Sequence, residues 1–593
     1  MEQELITLGI LFVFALIGGI LSARFKQPML MGLLLVGALI GPHAFGVIHN
    51  EHLMEAMIEF GAILILFLLG LEFDISKLKK IGLKAIIIAF LNSAILTFVG
   101  FSVALLLGFN VTAALFLGVI LAFGSTVVIV KVLENKGLMD RQEVPLLIAI
   151  LIIEDIIAVI IITFFSGVQD KTKGLIGNIE SLIISMCILI ISYILFIKFV
   201  KPLLEYVLKK NNSEEIITFT ALAMCAGFAY FSYYLHLSPA VGAFLAGSII
   251  ASLPNAKGFE HAISPYNIII SSFFFIAIGT MINIKSIIAN IMIILVFVLV
   301  VIITKLTAFS GMVYFFANMK GDKMFFSSIA MFSVGEFSLL VAKESTKFNI
   351  GVDLISIAAA IIAISAVIMS FTINYSNKIY EPAIEKMPWK FRKSLDKIAE
   401  YIKSITEELD LENKYNRSLK KMLGKIILTI ISILLILFGY RRFEKYILLN
   451  EIVIDAKITA LIYIATIVVI ASLIFYLTIL TKKSLNILSE IFDNATSTKS
   501  IYHSKKIIRK ATIAIISFST ALTWPFVMFL LNTKPVYIII SYVLIIITII
   551  NFYSISKLMH DNNSKERLNN MIKYDGFKND SHSAKEFNRG WRM

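Results

Sequence analysis

The chain has 593 residues, of which 58% are hydrophobic and only 16% are charged, and its mean hydropathy is +0.87. Soluble domains contain about 45–50% apolar and about 25% charged residues, so this composition excludes an ordinary soluble protein. The apolar residues form runs of about 20, the length of helix that crosses a hydrocarbon core about 30 Å thick. We therefore predict an all-α polytopic membrane protein.

The formal net charge of +14 comes from Lys and Arg gathered in particular loops, so no nucleic-acid partner is needed to explain it. Both cysteines, Cys187 and Cys225, lie in apolar segments and are predicted to be small buried residues without a disulfide. The N-terminus begins MEQELITLGI and lacks the basic region of a secretory signal. It is predicted to be a retained first span.

Thirteen apolar segments precede the first long polar region and are predicted to be membrane spans. They cover roughly residues 4–23, 28–48, 54–73, 84–108, 112–133, 143–166, 175–200, 214–236, 239–254, 264–283, 288–317, 322–345 and 353–376. Alternate loops are basic, although Lys171 and Lys173 depart from the pattern. By the positive-inside rule, the N-terminus lies outside the cell membrane and residue 377 lies in the cytoplasm.

The chain after the thirteenth segment changes character twice. Residues 377–422 are predicted to be a charged cytoplasmic linker, and 557–593 a polar cytoplasmic tail. Between them, residues 423–556 are predicted to be a membrane extension of about four spans. Its apolar runs lie near 423–440, 456–481, 511–531 and 535–556.

Two adjacent acids, Glu154 and Asp155, interrupt the apolar run LLIAILIIEDIIAVIIITFF. A charge at the bilayer centre costs about 2.5–3.5 kcal/mol on insertion scales, so two in a row indicate a function. Neighbours on a helix point about 100° apart, so one acid can face a cavity while the other faces a helix. A proton and a cation that compete for one such carboxylate give the minimal chemistry of antiport. The alternative is a structural ion pair between helices.

Lys305 lies in the middle of the eleventh segment, too deep to reach an interface. An intramembrane lysine needs a partner, and Asp155 or Glu154 is the natural candidate. Such a pair could open when a cation binds. The alternative is a purely structural salt bridge.

Segments five and twelve resemble each other. Each places a glycine with polar neighbours, Gly124 and Gly335, in mid-membrane, followed by a short apolar half. Because the segments are seven apart, they cross in opposite senses, as in transporters with inverted repeats and discontinuous helices. Ser125 and Thr126 supply hydroxyls and unwound backbone at the first break, although Ser and Thr also join ordinary helices. Glu336 neutralises half-helix N-termini or lines an inner funnel; we favour the first.

No GxGxxG, Walker A or HExxH motif occurs in the sequence. We therefore expect no cofactor, no catalytic residues and no metal site beyond a monovalent cation at Asp155. The protein is predicted not to be an enzyme.

Six motifs stand out in the second, third, fifth, ninth, tenth and twelfth predicted spans. They are QPMLMGLLLVGALIGP, EFGAILILFLLGLEFD, LAFGSTVVIVKVLENKG, SPAVGAFLAGSIIAS, FFFIAIGTMINI and GEFSLLV. In the order and spacing of these motifs, residues 1–376 resemble the monovalent cation:proton antiporter-2 family, the Kef-type and NapA-type sodium or potassium/proton exchangers.

The resemblance implies roles for individual residues. Asp155 falls where the family has its essential ion-binding aspartate, and Lys305 where a lysine pairs with the acidic site. Glu154 departs from the family, which has Asp or Gln at that position; two adjacent carboxylates with the lysine imply electrogenic exchange. The family also implies a homodimer in which a core domain moves in an elevator-like way against a dimerisation domain. The nucleotide-binding domain that Kef-type systems usually carry at the C-terminus is replaced here by residues 377–593.

The sequence thus predicts residues 1–376 to be the membrane domain of a Na⁺ or K⁺/proton antiporter that works by alternating access in the cell membrane. An alternative is a gated passive cation pathway in which the same acids act as a selectivity ring. A third hypothesis, a membrane enzyme or scaffold built on the last four spans, lacks a catalytic constellation.

Overall fold

A computed structural model describes residues 2–25, 27–48, 51–72, 83–167, 191–198, 201–202, 213–235, 237–253, 256–319, 321–348, 350–376, 501–530, 534–551 and 553–554, with isolated positions at 188, 421, 422, 425, 429, 472, 476, 479 and 483. Across these residues the chain is helical and contains no strand, only one isolated backbone bridge. The prediction of an all-α protein is confirmed.

The helices are numbered in chain order. They are α1 (Glu2–Arg24), α2 (Met29–Ile40), α3 (Glu51–Glu72), α4 (Leu83–Leu106), α5 (Val111–Ile120), α6 (Thr126–Asn135), α7 (Val144–Gly167), α8 (Glu214–Tyr234), α9 (Pro239–Ala251), α10 (Ala256–Thr280), α11 (Ile284–Ala289), α12 (Ile291–Thr304), α13 (Ser310–Phe316), α14 (Asp322–Ala330), α15 (Phe337–Ser345), α16 (Leu354–Thr372) and α17 (Ile501–Leu530). A π-helical turn, Lys305–Phe309, joins α12 to α13, and short 3₁₀ turns cover Ile373–Tyr375 and Pro535–Ile538.

The described chain divides into two compact units. The first comprises residues 1–389 and 522–538; the second comprises 390–521 and 539–593. In the second unit, a hydrogen bond of 2.8 Å joins the hydroxyls of Ser517 and Thr548. Hydroxyl pairs of this kind are a common way of joining helices in a membrane.

Six helices of the first unit form what we call the scaffold bundle, α1–α3 and α8–α10. Here α3 packs against α9 and α10, and α2 packs against α1 and α10. The α2–α10 contact is very close, because a Cβ on Gly37 would lie only 2.8 Å from the Cα of Gly279. Small residues allow such approach, and close packing drives helix association in lipid.

The remaining helices of residues 83–376 form the core bundle, α4–α7 and α11–α16. Here α4 packs against α5 and α7, and α15 packs against α5, α7 and α16. Side chains cap two helix N-termini of this bundle: Asn110 Oδ1 accepts from the Ala113 N–H at 2.8 Å, and Asp353 Oδ1 accepts from the Ser356 N–H at 3.1 Å. Such caps satisfy amide donors that have no partner within the helix.

Arg141 joins the loop before α7 to the start of α14. Its Nη2 lies 3.2 Å from Glu143 Oε1 and 3.3 Å from Asp322 Oδ2, and its guanidinium lies 3.9 Å from the ring centroid of Phe326. The contact holds together the ends of two helices that carry the site described below.

Seven helices in the described part of the chain are long and apolar enough to cross a membrane, or eight if α10 counts as one bent span. The tenth span, predicted to begin near residue 264, lies in a helix that begins at Ala256 and bends by 56° between Ile263 and Ile268. Pro265 accounts for the bend, since proline removes a helical hydrogen bond. The predicted seventh span, 175–200, lies mostly outside the described residues, and the count of thirteen stays a prediction.

Candidate functional site

Two interrupted helices cross in the core bundle. The first helix breaks at 121–125, between α5 and α6, and the second at 331–336, between α14 and α15. The Gly335 N–H donates to the Phe123 carbonyl at 2.9 Å, and the Ser125 N–H donates to the Ser333 carbonyl at 3.2 Å. Gly124 and Val334 form an antiparallel backbone bridge. The two breaks therefore satisfy each other's amides while running in opposite directions.

The crossing requires glycine at its point of closest approach. A Cβ on Gly335 would lie 2.5 Å from the Gly124 carbonyl oxygen, nearer than real Cβ contacts. A Cβ on Gly124 would meet Leu151 Cδ2 at 2.8 Å and Glu154 Oε2 at 3.2 Å. Gly124 thus lies against both the second break and the acidic helix.

Ser125 and Glu336 lie at the N-termini of the two half-helices that follow the breaks. Ser125 caps α6 by accepting from the Val128 N–H at 3.2 Å, and its hydroxyl donates to Glu336 Oε2 at 2.8 Å. Glu336 in turn precedes the first residue of α15. A carboxylate here lies beside the positive ends of two half-helices, whose partial charges attract an anion.

Glu154 lies on α7 with no exposed surface, and protein donors satisfy both of its oxygens. Oε1 accepts from Asn92 Nδ2 at 2.6 Å, and Oε2 accepts from the Gly124 N–H at 2.9 Å. The Nζ of Lys305 lies 4.0 Å from Oε1. Glu154 is therefore the acid that joins α7 to α4, to the first helix break and to the lysine.

Asp155 faces a different neighbour. Its side chain is 3% exposed, and Oδ2 accepts from the Thr126 hydroxyl at 3.0 Å. Thr126 is the first residue of half-helix α6. Asp155 thus lies beside a half-helix N-terminus, where the partial positive charge attracts an anion.

Lys305 begins the π-helical turn between α12 and α13 and is 2% exposed. Its Nζ has no hydrogen-bond partner among the described residues and lies 5.1 Å from the ring centroid of Phe309. Turns of this type are frequent at functional sites because they displace a side chain from the regular helical position. The lysine is held near Glu154 by charge and by an aromatic face.

Asn92, in the middle of α4, is a polar site residue that the sequence reasoning missed. It is 1% exposed and makes the shortest of the hydrogen bonds to Glu154. The sequence feature that could have identified it is the polar pair Asn92 and Ser93 inside an apolar segment. Intramembrane polar residues face the interior of a bundle, so the pair indicated an inward-facing surface.

Asn92→Ala is expected to destabilise the protein by about 1–3 kcal/mol, because a buried charged acceptor loses a donor. The midpoint of thermal unfolding of the purified protein measures this effect. Ser93→Ala is the matched control, because the Ser93 hydroxyl, also buried, bonds to no residue that the structure describes. Equal shifts for the two variants would contradict a specific role for the Asn92 amide.

Opposed half-helices that cross beside buried charged residues define a class of protein, the ion-coupled secondary transporters. Comparison with known proteins agrees with this class. The family described as "Sodium/hydrogen exchanger, transmembrane" matches residues 12–375. The chain belongs to this family of multi-pass membrane transporters, and the predicted membership of a monovalent cation:proton antiporter family is confirmed.

Three relatives show the range of names among similar proteins. The "Iron transporter MagA" of Paramagnetospirillum magneticum is 27% identical over 63% of this chain and 84% of its own. The "Probable Na(+)/H(+) antiporter GerT" of Bacillus cereus is 28% identical over 56% of this chain and 88% of its own. The "K(+) efflux antiporter 5" of Arabidopsis thaliana is 29% identical over 58% of this chain and 61% of its own.

Proposed function

We propose that the protein exchanges Na⁺ or K⁺ for protons by alternating access, and that cation and proton compete for Asp155. The observation that carries this proposal is the position of Asp155, buried on α7 and bonded to Thr126 where half-helix α6 begins. Carboxylate and hydroxyl oxygens, with the carbonyls of unwound backbone, are the ligands that transporters offer to alkali cations and protons at such breaks.

The neighbouring groups have separate roles in this proposal. Glu154 fixes the first break through the Gly124 N–H, and Lys305 balances its charge. Ser125 and Glu336 join the two half-helix N-termini, so that the crossing moves as one body. We assign the transported ions to Asp155, which lies beside the start of half-helix α6.

The names of the relatives support Na⁺ and K⁺ as the candidate cations, because one is named a probable Na⁺/H⁺ antiporter and another a K⁺ efflux antiporter. Carboxylate, hydroxyl and carbonyl ligands suit both ions. The proposal therefore includes both, and the experiment below distinguishes them.

The proposal extends to the arrangement of the protein in the cell. The charge bias of the loops supports an outer N-terminus and a cytoplasmic linker and tail in the plasma membrane. Resemblance to Kef-type and NapA-type exchangers supports a homodimer, in which the core bundle (residues 83–167 and 284–376) moves against the scaffold bundle. Residues 1–376 would be the antiporter domain, followed by the linker 377–422, the extension 423–556 and the tail 557–593.

The test is dissipation of a pH gradient in proteoliposomes on addition of Na⁺, K⁺ or Li⁺, followed with a pH-sensitive dye. We expect cation-dependent proton movement for the wild type and none for Asp155→Asn. Asp140→Asn, the same substitution in the exposed loop before α7, is the matched control and should behave as the wild type. Cation flux without proton movement in the wild type would refute antiport and favour a passive pathway.

A further inference from the structure

The first compact unit contains a part of the C-terminal extension that has no role in the proposed exchange mechanism. Residues 522–530 at the end of α17 and residues 534–538 after it belong to the same compact unit as residues 1–389. We call these two stretches the C-terminal segment. A hydrogen bond of 3.0 Å from Trp524 Nε1 to the Tyr537 carbonyl joins them.

The C-terminal segment packs against an aromatic cluster on the core bundle, formed by Phe116, Phe164, Phe165 and Phe348. Phe164 and Phe165 end α7, Phe116 lies on α5, and Phe348 follows α15. Within the cluster, Phe116 and Phe165 stack with ring centroids 4.1 Å apart. The cluster thus joins three elements that also carry the crossing and the acids.

Two phenylalanines of the C-terminal segment complete this cluster. Phe526 meets Phe164 edge to face, with centroids 5.7 Å apart. Phe529 lies 5.9 Å from Phe165 and 5.8 Å from Phe348, also edge to face. These separations and angles are those that aromatic pairs prefer.

Close packing of this kind indicates a defined helix contact in a membrane. Lipid tails are as apolar as phenylalanine, so hydrophobicity alone does not hold two helices together there, and close packing must do so. Met528, between the two phenylalanines, is fully buried, and it belongs to the same hydrophobic cluster as Phe165. The segment is therefore packed as a part of the core rather than against lipid.

The predicted topology agrees with this contact. The basic stretch 481–510 is predicted to be cytoplasmic, so the turn between the apolar runs 511–531 and 535–556 is predicted to lie on the outer side of the membrane. The same pattern places the loop that contains Phe348, between the spans 322–345 and 353–376, on that side. Charge bias thus predicts that the two parts lie on the same side of the membrane, as their contact requires.

We infer that the C-terminal segment is an additional element of the transport core, docked on the aromatic cluster and moving with the core during exchange. This inference rests on the proposed function, because it needs a core bundle that moves against a scaffold. It gives part of the C-terminal extension a direct attachment to the transport machinery.

A contrasting contact joins the core to the scaffold. Lys343, near the end of α15, lies 3.9 Å from Glu59 on α3. If the core bundle moves against the scaffold bundle, this pair must separate during each cycle, whereas Phe164 and Phe526 must stay together. The two pairs therefore provide opposite expectations for the same experiment.

The experiment compares two cysteine pairs in the full-length chain, Phe164→Cys with Phe526→Cys and Glu59→Cys with Lys343→Cys. Cys187 and Cys225 are first replaced by serine. A short bis-methanethiosulfonate linker is used, which joins the two thiols through disulfides that dithiothreitol can reduce. A linker is needed because a direct disulfide requires Cα atoms closer than about 7 Å. Cation-dependent proton movement in proteoliposomes is measured before cross-linking, after it, and after cleavage of the linker with dithiothreitol. Recovery of exchange after cleavage shows that the cross-linked protein was still folded.

We expect cross-linking of the 164/526 pair to leave exchange unchanged, and cross-linking of the 59/343 pair to stop it reversibly. Loss of exchange on cross-linking 164/526, or failure of that pair to react while 59/343 reacts, would overturn the inference. Unchanged exchange with 59/343 cross-linked would instead refute the motion of core against scaffold. The cysteine-free chain and both cysteine pairs are chosen for cross-linking only after they exchange in the unlinked state, so any loss of exchange is caused by the cross-link.

Discussion

Replacing Gly335 with alanine is expected to abolish cation/proton exchange and to lower the thermal stability of the protein. The new Cβ would lie 2.5 Å from the Gly124 carbonyl oxygen and 2.8 Å from the carbonyl carbon. Both atoms belong to backbone, and the hydrogen bond from the Gly335 N–H to the Phe123 carbonyl holds the two broken segments together. The backbones must therefore separate, and overpacking of this kind costs about 1–3 kcal/mol. Thermal unfolding and gradient dissipation measure the two effects.

Gly311→Ala is the matched control for this substitution. Gly311 lies in α13 of the same bundle, and a Cβ there meets no atom within 4 Å. Alanine is favoured over glycine in a helix by about 0.8–1.0 kcal/mol, so stability should be unchanged or raised. If Gly335→Ala were as active and as stable as Gly311→Ala, the close crossing would not be needed for transport.

Lys305→Met is expected to be strongly destabilising. Glu154 has no exposed surface, and the Nζ of Lys305 lies 4.0 Å from its Oε1. Removal of one partner of a buried ion pair leaves an uncompensated charge and costs about 3–5 kcal/mol. Methionine keeps most of the side-chain volume, so the loss reports charge rather than a cavity. The midpoint of thermal unfolding in detergent is the measurement.

A second substitution separates charge from shape. In Glu154→Gln with Lys305→Met both charges are absent, and the glutamine side-chain oxygen can still accept a hydrogen bond. We expect the double variant to recover most of the stability that Lys305→Met loses, as neutral replacements of buried ion pairs do. Losses that simply add would show that Lys305 and Glu154 do not interact energetically.

The broken helices could be predicted because their cause is local. Gly124 and Gly335 each stand beside polar residues inside an apolar run, and a backbone that leaves the helix in a membrane needs such neighbours. Because the two broken segments are seven spans apart, they were also predicted to cross the membrane in opposite directions. The acids of α7 could be predicted for a similar reason, since adjacent carboxylates in an apolar run have no ordinary structural explanation.

The pairing of Lys305 could not be predicted to the same detail. Glu154 and Asp155 point about 100° apart, and either could have faced a lysine on another helix. Which acid lies near Lys305 depends on the rotation of α12 against α7 and on the π-helical turn. No local sequence pattern predicted either of them. Asn92 was missed because its partner, Glu154, lies 62 residues away, and the contact arises only through packing of α4 on α7.

The contact between Phe526 and Phe164 also could not be predicted from the sequence. Both residues belong to runs of apolar side chains, and phenylalanine is among the commonest residues in this chain. Hydrophobic pattern identifies a segment that enters the membrane but not the surface that it meets there. Only the geometry of the rings distinguishes a docked segment from one that faces lipid.

The charged groups around the crossing predict that exchange depends on the membrane potential. Three carboxylates, Glu154, Asp155 and Glu336, accompany one ammonium group, Lys305, so their net formal charge is −2 when all are ionised. Each elementary charge that crosses the full membrane potential gains or loses about 2.3 kcal/mol per 100 mV. If the core moves against the scaffold as proposed, every proton or alkali ion that it carries changes the electrical work of that movement. The dependence of the exchange rate on an imposed potential would count the positive charges that the site carries in each direction.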